Sequence, residues 1–175
     1  MLTNHSLTHQ ALSDYTVGMD ELEIIWDPRI TIFGRLVESH ASLTHVLDAE
    51  LREEVGLPLL WYGVLLHLGR SPGGYRPMNE LVNATAFTSG GVTRLVDRME
   101  RAGYVERRPC PTDRRVLFAG LTEAGRDMLA RATEIHLRGI QRHMIDALDA
   151  EEVSALDLIL SKLTTRTPVT SGGRA

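Results

Sequence analysis

The chain has a single cysteine in 175 residues, Cys110, which excludes an internal disulfide and a cysteine-built zinc site. It also lacks any apolar run near the roughly 18 residues a membrane span requires. Asn4, His5 and His9 interrupt the start, where a signal peptide would need its apolar stretch. The expectation is a soluble cytoplasmic protein with no membrane partner. Catalytic signatures are missing as well: there is no GxSxG, HExxH, P-loop or Rossmann glycine pattern. Paired glycines fall only at Gly73-Gly74, Gly90-Gly91 and Gly172-Gly173, which read as a turn, a helix start and a tail. No enzyme activity and no cofactor is expected. His136 and His143 share a helix face at i, i+7, about 10 Å apart by rise, too far to hold one metal ion, so no metal site is expected either.

What the chain does have is arginine. Of its 19 basic residues all but Lys162 are Arg, the side chain whose planar fork pairs bidentately with guanine or phosphate. The net charge of −4 hides a segregation. Residues 1–56 carry Arg29, Arg35 and Arg52 against ten acids, whereas residues 94–115 carry seven Arg against Asp97, Glu100, Glu106 and Asp113. Contact with phosphate is governed by potential within a Debye length of about 8 Å, so the local excess outweighs the overall sign.

Three of those arginines lie on one short helix. Residues 89–102 open after Thr88, a good N-cap, and stop at Gly103. Val92, Leu95, Val96 and Met99 recur at i, i+3, i+4, i+7 and form one apolar stripe, which places Arg94, Arg98 and Arg101 on the opposite face. A helix that packs by one side and presents guanidinium forks on the other suits a DNA major groove, with Ser89, Gly90, Gly91, Thr93, Arg94 and Arg98 nearest the bases. Two strand-like runs follow, Tyr104 to Arg108 and Arg115 to Leu121, around the turn Pro109-Cys-Pro-Thr-Asp-Arg114. They read as a β-hairpin with Arg107, Arg108, Arg114 and Arg115 on one projection. Asp113 is placed to orient a neighbouring guanidinium, and the tip suits a minor groove or flanking phosphates.

These residues carry a resemblance. Val92-Thr-Arg-Leu-Val-Asp-Arg-Met-Glu-Arg-Ala-Gly-Tyr-Val-Glu-Arg107, then Asp113-Arg-Arg115, then Leu121-Thr-Glu-Ala-Gly-Arg126 are similar to the MarR (multiple antibiotic resistance) regulators. A looser likeness extends over residues 28 to 164. One departure is that Gly90 and Gly91 stand where the family often has Ser and Thr, which strips two side chains from the groove-facing end of the helix. The resemblance implies a mainly α fold with a small β-hairpin wing, a winged helix-turn-helix flanked by N- and C-terminal dimerisation helices. It also implies a homodimer on a near-palindromic double-stranded DNA operator, acting as a repressor that a small-molecule effector releases. It sets that effector in a crevice between dimer helices and winged domain, where Arg35, His40, Tyr62 and His67 are the candidate contacts.

The remaining chain is read as helices. Asp27-Pro28 is an N-cap and N1 pair opening a helix that ends near Gly56, with Phe33, Leu36, Val37, His40, Leu43 and Leu47 on one face. Pro58 opens a helix over 59–68, and Met78 to Ala84 starts the helix-turn-helix through Leu81 and Val82. Thr122 caps a helix expected to run to about Leu148, roughly 40 Å. Asp149 and Glu152 form a capping box for the last helix. The expected organisation is a mobile tail over 1–20, dimerisation helices in 21–56 and 122–164, the DNA-binding domain over 57–121 and a second mobile tail over 165–175. The competing reading is a redox-responsive regulator in which Arg107, Arg108 and Arg114 lower the pKa of Cys110.

Overall fold

A computed structural model of the chain describes residues 23–84, 89–110, 113 and 116–166. The chain divides into two compact units, residues 1–44 and 45–175. In the first, a 3-10 turn over Glu23–Trp26 leads into helix α1, Pro28–Val55, which begins here. Asp27 is the cap expected from the Asp-Pro pair. Its carboxylate accepts the Arg29 N–H at 2.8 Å and is gripped by the Arg29 guanidinium, with Nη2 at 2.5 Å. The Arg29 hydrogen bonds hold its pKa down at about 2, against the opposing push of burial. Trp26, Ile30, Phe33, Leu36 and Val37 are all exposed.

In the second unit the end of α1 turns at Gly56, whose φ of 67° is the left-handed value that glycine adopts without strain. Helix α2, Leu59–Gly69, follows. Pro58 has no side-chain donor or acceptor for its first turn, and Asp48 of α1 supplies the acceptor, taking the Leu59 N–H at 2.8 Å. A 3-10 turn, Pro72–Gly74, leads into strand β1, Tyr75–Pro77, and helix α3, Met78–Ala84. Helix α4, Ser89–Arg101, is followed by β2, Val105–Pro109, and β3, Leu117–Leu121. Helix α5, Glu123–His143, a 3-10 turn Ile145–Ala147 and helix α6, Ala150–Arg166, complete it. The core joins α2, α3, α4, the sheet and α5 through fully buried Leu65, Leu68, Leu81, Val96 and Met99. No described helix is long and apolar enough to cross a membrane.

Three features differ from the sequence expectation. The hairpin becomes a three-stranded antiparallel sheet in the order β1-β3-β2. At three residues, ending in proline, β1 is too short to show an alternation, and only pairing with β3 makes it a strand. The strands of the hairpin itself begin one residue later, at Val105, and two residues later, at Leu117. Helix α5 stops at His143 rather than near Leu148, because Met144 leaves the helical region at φ −129°, ψ −58°. The 3-10 turn behind it repeats every 3.0 residues against 3.6, so apolar spacing carries on across the break and conceals it. Beyond that turn the capping box forms as expected, with Glu152 N–H to Asp149 at 2.8 Å and Asp149 N–H to Glu152 at 2.9 Å.

The junction of α4, the sheet and α5 fixes where the arginine helix points. Gly103 (φ 80°) ends α4 in a Schellman turn, with Tyr104 N–H to Met99 O at 3.0 Å and Gly103 N–H to Glu100 O at 2.9 Å. Thr122 then ties both helices. Its hydroxyl donates to Gly103 O at 2.7 Å and accepts the Gly125 N–H at 2.9 Å, and its own N–H bonds Tyr104 O. Gly125 packs so close to the Tyr104 carbonyl that a Cβ there would overlap it. Backbone cannot retreat as a side chain can, so Gly125→Ala is expected to destabilise the fold by about 1–3 kcal/mol. Urea denaturation measures this, and unchanged stability would show that the junction is not held as described.

Candidate nucleic-acid interface

Helix α4 sorts its residues by face. Val92, Leu95, Val96 and Met99 are buried at 2% exposure or less, the stripe that the i, i+3, i+4, i+7 spacing required. Gly91, Thr93, Arg94, Arg98 and Arg101 face solvent. Ser89 and Gly90 occupy the first turn of the helix, while Thr88, its expected cap, lies outside the described residues. The helix therefore holds Arg94 and Arg98 one turn apart on its free face, within reach of a shared surface.

A third stripe, Thr93, Asp97 and Glu100, runs beside the arginines and meets β2. Arg107 of β2 grips it: Nη2 lies 2.7 Å from Asp97 Oδ1, Nη1 lies 2.5 Å from Glu100 Oε2, and Nη2 donates to the Thr93 carbonyl at 3.3 Å. On the other face of the strand, Arg108 pairs with Glu106 at 2.7 Å and lies 4.9 Å over the Tyr75 ring. Tyr75 donates its hydroxyl to Glu106 across the middle strand. Tyr75 and Glu106 are both register partners of Gly120, and a Cβ on Gly120 would collide with the tyrosine ring. The hydrogen bond with Tyr75 is the main reason the Glu106 pKa is lowered and the Tyr75 pKa raised.

This corrects the expected charge of the wing. Four arginines on one projection were anticipated, but Arg107 and Arg108 are committed to Asp97, Glu100 and Glu106. That also removes two of the three cations invoked to activate Cys110. Cys110 is half-buried, and its N–H bonds Val116 O at 2.8 Å. Asp113 is exposed and its carbonyl accepts the Val116 N–H at 3.0 Å, while Arg114 and Arg115 lie outside the described residues. Nothing in the sequence pattern pointed to Tyr75, which acts through strand pairing. The spacing of Thr93, Asp97 and Glu100 at i, i+4, i+7 was a visible signal for the Arg107 contacts, overshadowed by the arginines beside it.

The candidate effector residues divide between the units. Arg35 and His40 are exposed on α1 in the first. In the second, Tyr62 is buried at 4% exposure with its ring 4.6 Å from that of His136, and His67 is half-buried. Burial lowers the His67 pKa, with Arg76 and Arg70 adding to the effect. His136 is also shifted down by burial, and its Nδ1 has no partner among the described residues. His143 sits 2.8 Å from Glu50, far along the helix from His136. A cavity of about 330 Å³ opens among Gly69, Gly74, Leu121, Arg126, Leu129 and Ala130, and none of the four candidates lines it.

Comparison with known proteins places this geometry. The MarR family profile matches residues 55–116. The chain is 33% identical over 90 residues to the HTH-type transcriptional regulator MhqR of Bacillus subtilis (strain 168), covering 51% of this chain and 61% of that protein. It spans about 60% of the length of the first curated relatives it matches. Among solved structures it is 31% identical to AbsC, a MarR family transcriptional regulator from Streptomyces coelicolor, at a TM-score of 0.73 over 80% of this chain and 94% of that one. A second MarR family regulator from Streptomyces coelicolor, solved in complex with DNA, is 28% identical at a TM-score of 0.74 over 82% of this chain and 89% of that one.

The Tyr75 strap has a pH signature. Because the Glu106 pKa is lowered in the folded state, the stability this hydrogen bond supplies is present above the ordinary carboxylate pKa and is lost as pH falls through the lowered value. Tyr75→Phe is therefore expected to raise the Glu106 pKa, and its stability deficit against the parent should close in acid. Carboxyl NMR titration and denaturation across pH 2–7 check this. A Glu106 pKa untouched by Tyr75→Phe would mean that the hydroxyl bonds elsewhere.

Proposed function

The chain belongs to the MarR family of transcriptional regulators, and from that premise we propose that it is a homodimeric repressor that binds a near-palindromic double-stranded DNA operator and is released by a small molecule. The single observation that carries the DNA reading is α4: one face is buried to 2% exposure or less, and the opposite face offers Arg94 and Arg98 to solvent. In this reading Ser89, Gly90, Gly91, Thr93, Arg94 and Arg98 enter the major groove, and Arg114 and Arg115 at the wing tip meet phosphate or a narrow minor groove, with Asp113 orienting one of them. That a 28% identical relative is solved in complex with DNA supports DNA as the partner.

With Arg107 and Arg108 engaged internally, the charge available to phosphate comes from the free face of α4 and the wing tip, not from the strands. That concentrates sequence reading in α4. The homodimer is supported by apolar side chains exposed within each unit: Phe33, Leu36 and Val37 on α1, and Leu158, Ile159 and Leu160 on α6. In the dimer, residues 21–56 and 122–164 supply the interface and residues 57–121 the DNA-binding domain. Two-fold symmetry then sets the recognition helices about 34 Å apart, one turn of DNA. Release follows when an effector binds better to a dimer whose recognition helices are misplaced. The protein acts in the cytoplasm, where its operator is.

Two outcomes test the interface. Arg94→Ala and Arg98→Ala are each expected to weaken operator binding by about 1–3 kcal/mol with the fold intact, read by fluorescence anisotropy on a sequence selected from random DNA. Unchanged affinity in both would remove α4 from the major groove. Replacing Arg114 and Arg115 together with Ala should instead lower the salt slope of log K by about 0.9 for each phosphate that is no longer neutralised, with sequence preference kept. An identical slope would mean that the wing stays off the DNA.

A further inference from the structure

We propose that Arg107 is a positioning residue: it ties β2, the strand from which the wing follows, to the recognition helix, and so sets how the wing arginines are presented to DNA beside Arg94 and Arg98. The inference rests on the reading of α4 and the wing as the DNA interface. Its structural basis is that, among the described residues, one guanidinium on β2 takes all its partners from α4. Thr93, Asp97 and Glu100 span two helical turns, about 10 Å by rise, and a single Arg fork bridges them, with an exposure of only 18%. The two neighbours of Arg107 in the strand point to the opposite face, as a period of two demands, and are held there by Tyr75. Strand β2 is thus clamped to α4 on one face and to β1 on the other. Strand β2 ends at Pro109, immediately before the wing loop, so the angle at which β2 meets α4 sets the point and direction from which that loop starts.

A competing account gives Arg107 only an electrostatic duty, to neutralise two carboxylates that would otherwise face phosphate beside Arg94 and Arg98. The two accounts predict opposite signs for one variant. Asp97→Ala with Glu100→Ala removes both carboxylates and leaves Arg107 in place, so charge alone would tighten DNA binding. If the bridge positions the wing, the same variant binds more weakly although its net charge is two units more positive, because the wing and helix no longer arrive in register.

The experiment uses the full chain and an operator selected from random DNA, with affinity measured across a salt series. Alanine favours helix at both positions, one half-buried and one exposed, so helicity and the thermal transition should persist, and circular dichroism verifies it. The expected result is operator binding roughly three- to tenfold weaker in the double variant, and a much smaller loss on adding Arg114→Ala and Arg115→Ala than the same pair causes in the parent chain. A purely structural role would not erase that wing increment. Arg107→Lys, which keeps the charge but not the fork, should show the same erased increment and stands in if the double variant does not fold. Tighter binding by the double variant, or a wing increment of equal size in both backgrounds, overturns the proposal. A parent chain that binds no selected DNA overturns the interface reading itself, a result distinct from either.

Discussion

The surface that α4 presents depends on the burial of Val92, Leu95, Val96 and Met99 beneath it. Each such side chain contributes about 1.5–3 kcal/mol on leaving water, against less than about 1 kcal/mol for any exposed ion pair nearby. Rotation of the helix about its axis would therefore cost far more than any rearrangement of surface charge returns. The rotational setting of α4 is fixed by its apolar stripe, and the outward direction of Arg94 and Arg98 is a consequence. The Schellman turn at Gly103 and the Thr122 hydroxyl then fix the end of the helix against the sheet and α5. Gly125 is required there because the Tyr104 carbonyl occupies the space of a side chain.

Charge is laid over that frame sparingly. An acidic chain of net charge −4 makes a basic surface by placing arginines at the free face of one helix and spending others as internal ties. Arg107 holds α4 to β2, Arg108 joins Glu106 and the Tyr75 ring, and Arg29 caps α1 through Asp27. At the far end of α5, Arg138 reaches Glu54 at 2.6 Å and Arg142 reaches Glu50 at 2.9 Å, with His143 on the same carboxylate. The Glu50 pKa is lowered chiefly by the His143 hydrogen bond. Arginine serves both duties because its fork can take two acceptors at once, whether these are two acids of a helix or two atoms of a base.

What the sequence made legible was local. The stripe on α4, the stop at Gly103, the Asp27 and Thr122 caps and the Asp149/Glu152 box all involve residues within a few positions of one another, where periodicity and capping chemistry act directly. What it concealed was set by long-range pairing. Tyr75 becomes a strand residue only opposite Gly120, and the partners of Arg107 are seven to fourteen positions away in the chain. The overrun of α5 past His143 arose because a 3-10 turn keeps an almost helical period. The effector residues were the least legible. Tyr62 is a buried side chain whose ring lies tilted against that of His136, and an apolar helix face alone does not distinguish core packing from a ligand contact.

The central claim is that two copies of α4 enter successive major grooves of one operator. Methylation interference with dimethyl sulfate, which marks guanine N7 in the major groove and adenine N3 in the minor groove, tests it most directly on a sequence selected from random DNA. The account predicts two clusters of interfering guanines centred about 10 base pairs apart and related by two-fold symmetry, with Arg98→Ala weakening interference in both clusters together. A single cluster, or interference confined to minor-groove positions, would contradict it.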